Sequence, residues 1–220
     1  MLIGISGMIS SGKSELSKKL IKHYGKNALL LQEFSKEDEV FNTMLRWLYE
    51  RKPNFDITFQ TYILEYHLAL VEQIRNKFIK KGLNEQSDFL FLDRFAAEHY
   101  IFASVNLDHC DQKIKEAYDL LFDKLVTKDD IPEYAIFLDV DFEHFQQRLF
   151  KRGREVEIQG WEANKKYFKK LLSVYKDVFI KIANKYQFKY EVIDTNNLTE
   201  QEVFKIALEK IEQYKASKQN

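Results

Sequence analysis

Eight residues near the N-terminus, Gly7-Met8-Ile9-Ser10-Ser11-Gly12-Lys13-Ser14, match the pattern G-x-x-x-x-G-K-[ST]. Chemically this is a cradle for a polyphosphate. The glycines let successive backbone N–H groups turn toward one oxyanion, Lys13 brings a positive charge to the outer phosphates, and the Ser14 hydroxyl suits a Mg²⁺ ligand. The apolar run Leu2-Ile3-Gly4-Ile5 precedes the loop and Glu15-Leu16-Ser17-Lys18-Lys19-Leu20 follows it, so strand, loop and helix come in the order the cradle needs. The expected ligand is a nucleoside triphosphate. The pattern leaves open what is done with it.

Three other groups of residues carry chemistry. In Leu31-Gln32-Glu33-Phe34 a carboxylate follows an apolar run, and there it can take a proton from an attacking hydroxyl. It would repel an acceptor that already bears a phosphate, and no arginine beside it offsets the charge, which favours a neutral alcohol as acceptor. A solvated glutamate capping the next turn is the competing reading. In Phe91-Leu92-Asp93-Arg94, Asp93 can hold Mg²⁺ through water and Arg94 can face a transferring phosphoryl group; alternatively Asp93 caps the helix expected from Ala96. In Arg148-Leu149-Phe150-Lys151-Arg152-Gly153-Arg154, the first two arginines share a helix face, Gly153 lets the chain bend, and Arg154 continues beyond it. A lid closing three guanidinium groups over a triphosphate is the reading preferred over a basic helix end, because the arginine fork matches phosphate oxygens. The five histidines show no metal-ligand spacing, no Ser-His-Asp arrangement can be argued, and guanine-reading motifs of the GTPase type are absent.

These residues need a frame that gathers strand ends. Besides the first run, Ala28 to Leu31, Phe89 to Leu92, Tyr134 to Leu138 and Tyr190 to Ile193 read as buried parallel strands. Helices are expected over Lys13 to Tyr24, Val40 to Glu50, Asp56 to about Lys80, Ala96 to Ser104, Asp111 to Leu125, Phe142 to Lys151, Trp161 to Tyr186 and Thr199 to Tyr214. The alternation predicts an α/β fold, a five-stranded parallel sheet flanked by helices, with ligands beyond the carboxyl ends of its strands. No repeat or linker composition divides the 220 residues, so one domain over residues 1–220 with a lid at about 148–160 is expected, and the Lys-rich end from Lys215 to Asn220 is expected to fray. Lysine plus arginine and aspartate plus glutamate both number 34, which removes any net field toward nucleic acid or an anionic membrane and points to small-molecule partners. Cys110, the single cysteine, excludes an internal disulfide and a cysteine-based zinc site. With no apolar stretch of about 18 residues and no signal-type start, a cytoplasmic protein is expected.

Taken in order, these motifs resemble the deoxyribonucleoside kinases, most of all the small bacterial deoxyadenosine kinases, over most of the chain. Gly-Met-Ile-Ser-Ser-Gly-Lys-Ser is similar to that family's phosphate loop, and Glu33 falls where the family keeps its general base. Leu48-Tyr49-Glu50 and Thr58-Phe59-Gln60-Thr61-Tyr62 are similar to its substrate segment, which implies that Tyr49 holds the sugar 3′-hydroxyl, that Gln60 reads the base, and that Leu45 and Phe59 line the site. Asp93-Arg94 with Tyr100-Ile101-Phe102-Ala103 looks like the family's Asp/Glu-Arg-Ser motif and aromatic wall; Arg148, Arg152, Arg154 and Glu157 fit its lid, the last acid also reaching the 3′-hydroxyl. The resemblance further implies ATP and Mg²⁺, a homodimer, and feedback inhibition by the end-product triphosphate. A carboxamide such as Gln60 offers a donor and an acceptor side by side, which match the N6/N1 edge of adenine or the N4/N3 edge of cytosine. Two departures stand out. Phe95 occupies the place of the family serine, and the segment Phe95-Ala96-Ala97-Glu98-His99 is one residue shorter than in the animal enzymes; His67 stands where some relatives carry arginine. Transfer of the ATP γ-phosphoryl to the 5′-hydroxyl of a deoxynucleoside, deoxyadenosine before deoxycytidine or deoxyguanosine, is the expected activity. A nucleoside monophosphate kinase such as thymidylate kinase, and a non-catalytic ATP-binding switch, are the alternatives.

Overall fold

In the computed structural model, residues 1–32, 38–50, 52–153, 158 and 160–219 are described. Five strands, β1 (Leu2–Gly7), β2 (Ala28–Leu31), β3 (Phe89–Asp93), β4 (Tyr134–Asp139) and β5 (Lys189–Asp194), form one parallel sheet in the order β2-β3-β1-β4-β5. Among the described residues its α-helices include α1 (Lys13–Tyr24), α2 (Glu39–Tyr49), α3 (Asp56–Lys80), α4 (Ala96–Asn106), α5 (Gln112–Leu125), α6 (Phe142–Arg152), α7 (Trp161–Tyr186) and α8 (Glu200–Gln219).

The strands are apolar at nearly every position because both faces of the sheet are covered. Side chains alternate between them. Ile3, Ile5, Phe89, Phe91, Tyr134, Ile136 and Leu138 join one core with Leu16 and Leu20 of α1 and Ala207 and Ile211 of α8. Leu90, Leu92, Ala135 and Phe137 join the other with Leu64 of α3, Ile101 of α4, Phe122 of α5, Phe145 of α6 and Tyr175 and Phe179 of α7.

Gly4 explains Phe95. A Cβ on Gly4 would lie 2.6 Å from Phe95 Cε1 and 2.8 Å from Pro132 Cγ, so the phenylalanine ring occupies the space that a side chain on the central strand would take. Phe95 is fully buried and meets Phe179 and Phe188 edge to face. The departure from the family serine is therefore a packing feature.

The expectation of a frayed C-terminal end is corrected. Helix α8 runs on to Gln219, because Lys215 Nζ donates to the Ser87 carbonyl at 3.0 Å and Lys218 pairs with Glu133. Tertiary contacts at both positions hold the last turns that propensity alone would leave loose.

Candidate active site

The cradle forms at the carboxyl end of the central strand. Gly7 has φ +145° and Gly12 φ +101°, backbone angles that favour glycine, and a Cβ on Gly7 would also meet the Leu138 carbonyl at 2.6 Å. Ser10, with φ +60°, adds a left-handed residue to the turn. Lys13 is buried, and its Nζ donates to the carbonyls of Gly7 at 2.6 Å and Met8 at 3.0 Å, which sets the ammonium at the centre of the loop. The Ser10 and Ser11 hydroxyls are buried without a hydrogen-bond partner among the described residues. Groups of this kind suit a ligand rich in acceptors.

One strand away, β3 delivers Asp93 opposite Ile5 of β1. Ser14 Oγ donates to Asp93 Oδ2 at 2.7 Å, while Asp93 Oδ1 is buried with no partner among the described residues. The two residues expected to ligate Mg²⁺ are thus adjacent, and they leave a carboxylate oxygen available; this donor set of hydroxyl and carboxylate fits a hard divalent cation. Arg94 follows with φ +77°, a left-handed arginine of the sort that structures keep where a side chain must be aimed, at a cost of roughly 1–3 kcal/mol. Its backbone N–H donates to the Ile5 carbonyl, its guanidinium lies 4.9 Å above the centre of the Phe102 ring, and Nη1 is 3.5 Å from the Tyr175 hydroxyl.

Helix α3 supplies the next wall. Gln60, Leu64, His67 and Val71 lie along its buried stripe. Gln60 is 4% exposed, and its Nε2 has no hydrogen-bond partner among the described residues. Phe59 is buried against Phe41 and Phe55, with ring centres at 6.5 and 6.1 Å; Leu45, on α2, is half-buried. The His67 and His99 rings sit 4.6 Å apart between α3 and α4. Burial above all, then His67 and Arg94, holds the His99 imidazole well below the ordinary histidine range, so it is neutral.

Glu98 and Tyr175 were not singled out as site residues by sequence reasoning. Glu98, on the first turn of α4, is completely buried and touches both the loop and the surroundings of Arg94. The i,i+4 spacing of Arg94 and Glu98 was the available signal; Tyr175, 77 residues further on, offered none.

Helix α6 ends at Gly153 in the left-handed conformation (φ +68°), as a bending point requires. Arg148 is anchored: Nη1 donates to Thr195 Oγ1 at 2.8 Å and Nη2 to the Thr195 carbonyl at 2.5 Å, just past β5. Arg152 is exposed. Glu33, Arg154 and Glu157, and the side chain of Tyr49, lie outside what the structure describes. Strand β2, which leads to Glu33, is separated from β1 by β3. Two strand spacings, about 10 Å, therefore lie between the glutamate's strand and the loop's, with Asp93 and Arg94 at the end of the strand between them.

Away from this site the fold gathers His109, Cys110 and Asp56, with His109 Nε2 at 3.2 Å from Asp56 Oδ2 and the thiol at 3.9 Å from both. Residue spacing gave no sign of this cluster.

Comparison with known proteins agrees with this architecture. The deoxynucleoside kinase family model matches residues 3–215, and the chain belongs to that family. It is 28% identical over 200 residues to an uncharacterized Mycoplasma pneumoniae protein, covering 89% of this chain and 83% of that one. It is 27% identical over 183 residues to a deoxyguanosine kinase of Lactobacillus johnsonii, covering 80% of this chain and 75% of the relative. The deoxyadenosine kinase of M. mycoides, solved with the products dCMP and a flexible dCDP, superimposes with a TM-score of 0.76 at 24% identity, covering 97% of this chain and all of that one. The likeness identifies the fold as that of a phosphate-loop nucleoside kinase.

Proposed function

We propose that this chain transfers the γ-phosphoryl group of MgATP to the 5′-hydroxyl of a deoxynucleoside, deoxyadenosine first, in the cytoplasm, and that it does so as one kinase domain with residues 148–160 as lid. The observation that carries the substrate class is Gln60. A buried amide nitrogen such as Gln60 Nε2, without a partner among the described residues, costs stability unless a ligand satisfies it, and the flat hydrogen-bonding edge of a nucleobase is such a ligand. Turned one way, the carboxamide meets N6 and N1 of adenine; turned over, it meets O6 and N1–H of guanine. This is consistent with relatives named for both purine nucleosides.

The other roles follow from the family resemblance together with the chemistry of the groups. Glu33 accepts the proton of the attacking hydroxyl, Tyr49 and Glu157 hold the sugar 3′-hydroxyl, and Leu45, Phe59 and Phe102 give the base apolar contact. Residues Gly7 to Ser14 wrap the donor's phosphates through backbone N–H groups, and Lys13, Arg94, Arg152 and Arg154 offset charge on the transferring group. Arg148 joins them or keeps the lid helix tied to Thr195. Ser14 and Asp93 would hold Mg²⁺, which when bound neutralises charge on the donor phosphates. A homodimer and inhibition by the end-product triphosphate belong to the same reading; the M. mycoides enzyme has been solved with bound dCTP.

The deciding experiment supplies radiolabelled ATP with each of four deoxynucleosides and with AMP and dTMP. Transfer to a deoxynucleoside, fastest to deoxyadenosine, is expected. Preferential transfer to a monophosphate would make it a nucleotide kinase, and ATP binding with no transfer would make it a switch.

A further inference from the structure

The carboxylate of Glu98 has an unusual set of partners. Its Oε1 accepts hydrogen bonds from Ser6 Oγ at 3.0 Å, from the backbone N–H of Gly7 at 2.9 Å and from the Tyr175 hydroxyl at 2.7 Å. Its Oε2 lies 3.7 Å from Arg94 Nη1 and has no hydrogen-bond partner among the described residues. A carboxylate with no exposure to water is costly unless donors and a cation surround it, and here three donors and one guanidinium do so. Its place in the first turn of α4 adds the favourable end of the helix dipole. One oxygen therefore serves the junction between β1 and the phosphate loop while the other faces the arginine.

We propose that Glu98 is a positioning residue that couples the phosphate loop to Arg94, setting the loop's first N–H and the arginine's aim through one carboxylate. Gly7 opens the loop, so a shift of Glu98 moves the strand from which the cradle starts. Arg94 already has a strained backbone and a face resting on Phe102; the Glu98 carboxylate, with Oε2 3.7 Å from Nη1, adds an electrostatic pull on the direction of its Nη atoms. Tyr175 bridges the pair, donating to Glu98 and accepting from Arg94. For its rate readout the inference rests on the proposed kinase activity; its binding readout does not.

Glu98→Gln keeps the shape and an oxygen acceptor for Gly7 and removes the charge. The expected result is a fall in kcat of about tenfold or more, with KM for ATP and nucleoside changed less than about threefold, and no further fall when the substitution is made in an Arg94→Ala background. Multiplication of the two effects in the double variant, or an unchanged kcat in Glu98→Gln, overturns the coupling. Should Glu98→Gln fail to fold, Tyr175→Phe decides, with a smaller loss of kcat that Arg94→Ala likewise abolishes. Displacement of a fluorescent nucleotide supplies the second readout: Glu98→Gln should narrow the preference for ATP over ADP, because Arg94 addresses the outermost phosphate. If the wild-type protein phosphorylates no nucleoside and this narrowing persists, the kinase reading falls and the coupling stands. If the wild-type protein is active while the folded variants retain both kcat and nucleotide preference, the coupling falls alone.

Discussion

At the scale of single residues, chemistry depends on groups whose environment is incomplete without a ligand. Gln60 is the plainest case. Replacing it with leucine removes a buried amide nitrogen that has no partner among the described residues, so the ligand-free protein should be as stable or more stable by about 1 kcal/mol, while KM for the nucleoside rises by an order of magnitude or more. Thermal melts without ligand, set beside steady-state kinetics, check both halves; a stability loss with unchanged KM would reassign Gln60 to the core. For Glu33 the expected consequence is different. Glu33→Gln should lower kcat by about 10²–10⁴ if it serves as the general base, with nucleoside binding intact when measured by calorimetry. Near-normal turnover would remove it from the mechanism.

At the scale of elements, the position of each site residue is set by the packing of the strand or helix that carries it. The pairing of Gly4 with Phe95 shows how closely the central strand and the start of α4 are fitted. Gly4→Ala places a methyl group 2.6 Å from Phe95 Cε1 and should destabilise by about 1–3 kcal/mol, since the ring is enclosed by Phe179 and Phe188 and has little room to retreat. Phe95→Leu alone removes ring volume and destabilises as well, yet the double variant should lose less than the two singles combined. Denaturant melts of all four proteins test this, and strict additivity would show that the two sites do not share the space. Because Phe95 separates Arg94 from α4, Gly4→Ala should also lower kcat. The strands and helices were legible in the sequence because a doubly covered parallel sheet leaves continuous apolar runs, each followed by a helical pattern. The tail of α8 was not, because its order comes from Lys215 and Lys218 reaching Ser87 and Glu133.

At the scale of the whole molecule, the layer between α3 and α4 ties stability to pH through His99. The folded protein keeps this imidazole neutral at pH values where the unfolded chain, with an ordinary value near 6.5, already binds a proton. Acid therefore favours the unfolded chain: the contribution is fully present above about pH 6.5 and is lost as pH falls, by at most about 1.4 kcal/mol per unit. Urea midpoints at pH 7.5 and 5.5 should converge for His99→Gln relative to the wild-type protein; equal losses in both would place the acid sensitivity elsewhere. Among the described residues no helix is long and apolar enough to cross a membrane. By itself the sequence determined the phosphate loop, the strand ends that surround it and the family, because those signals are local: a turn that needs glycine, a lysine and a serine at fixed spacing, an acid and an arginine closing an apolar run. Only the tertiary structure decided that Asp93 meets Ser14, that β3 stands between the loop and the strand leading to Glu33, and that Glu98 reaches both Gly7 and Arg94. Strand order and the approach of helices distant in sequence are properties of the packed sheet, and no run of neighbouring residues encodes them.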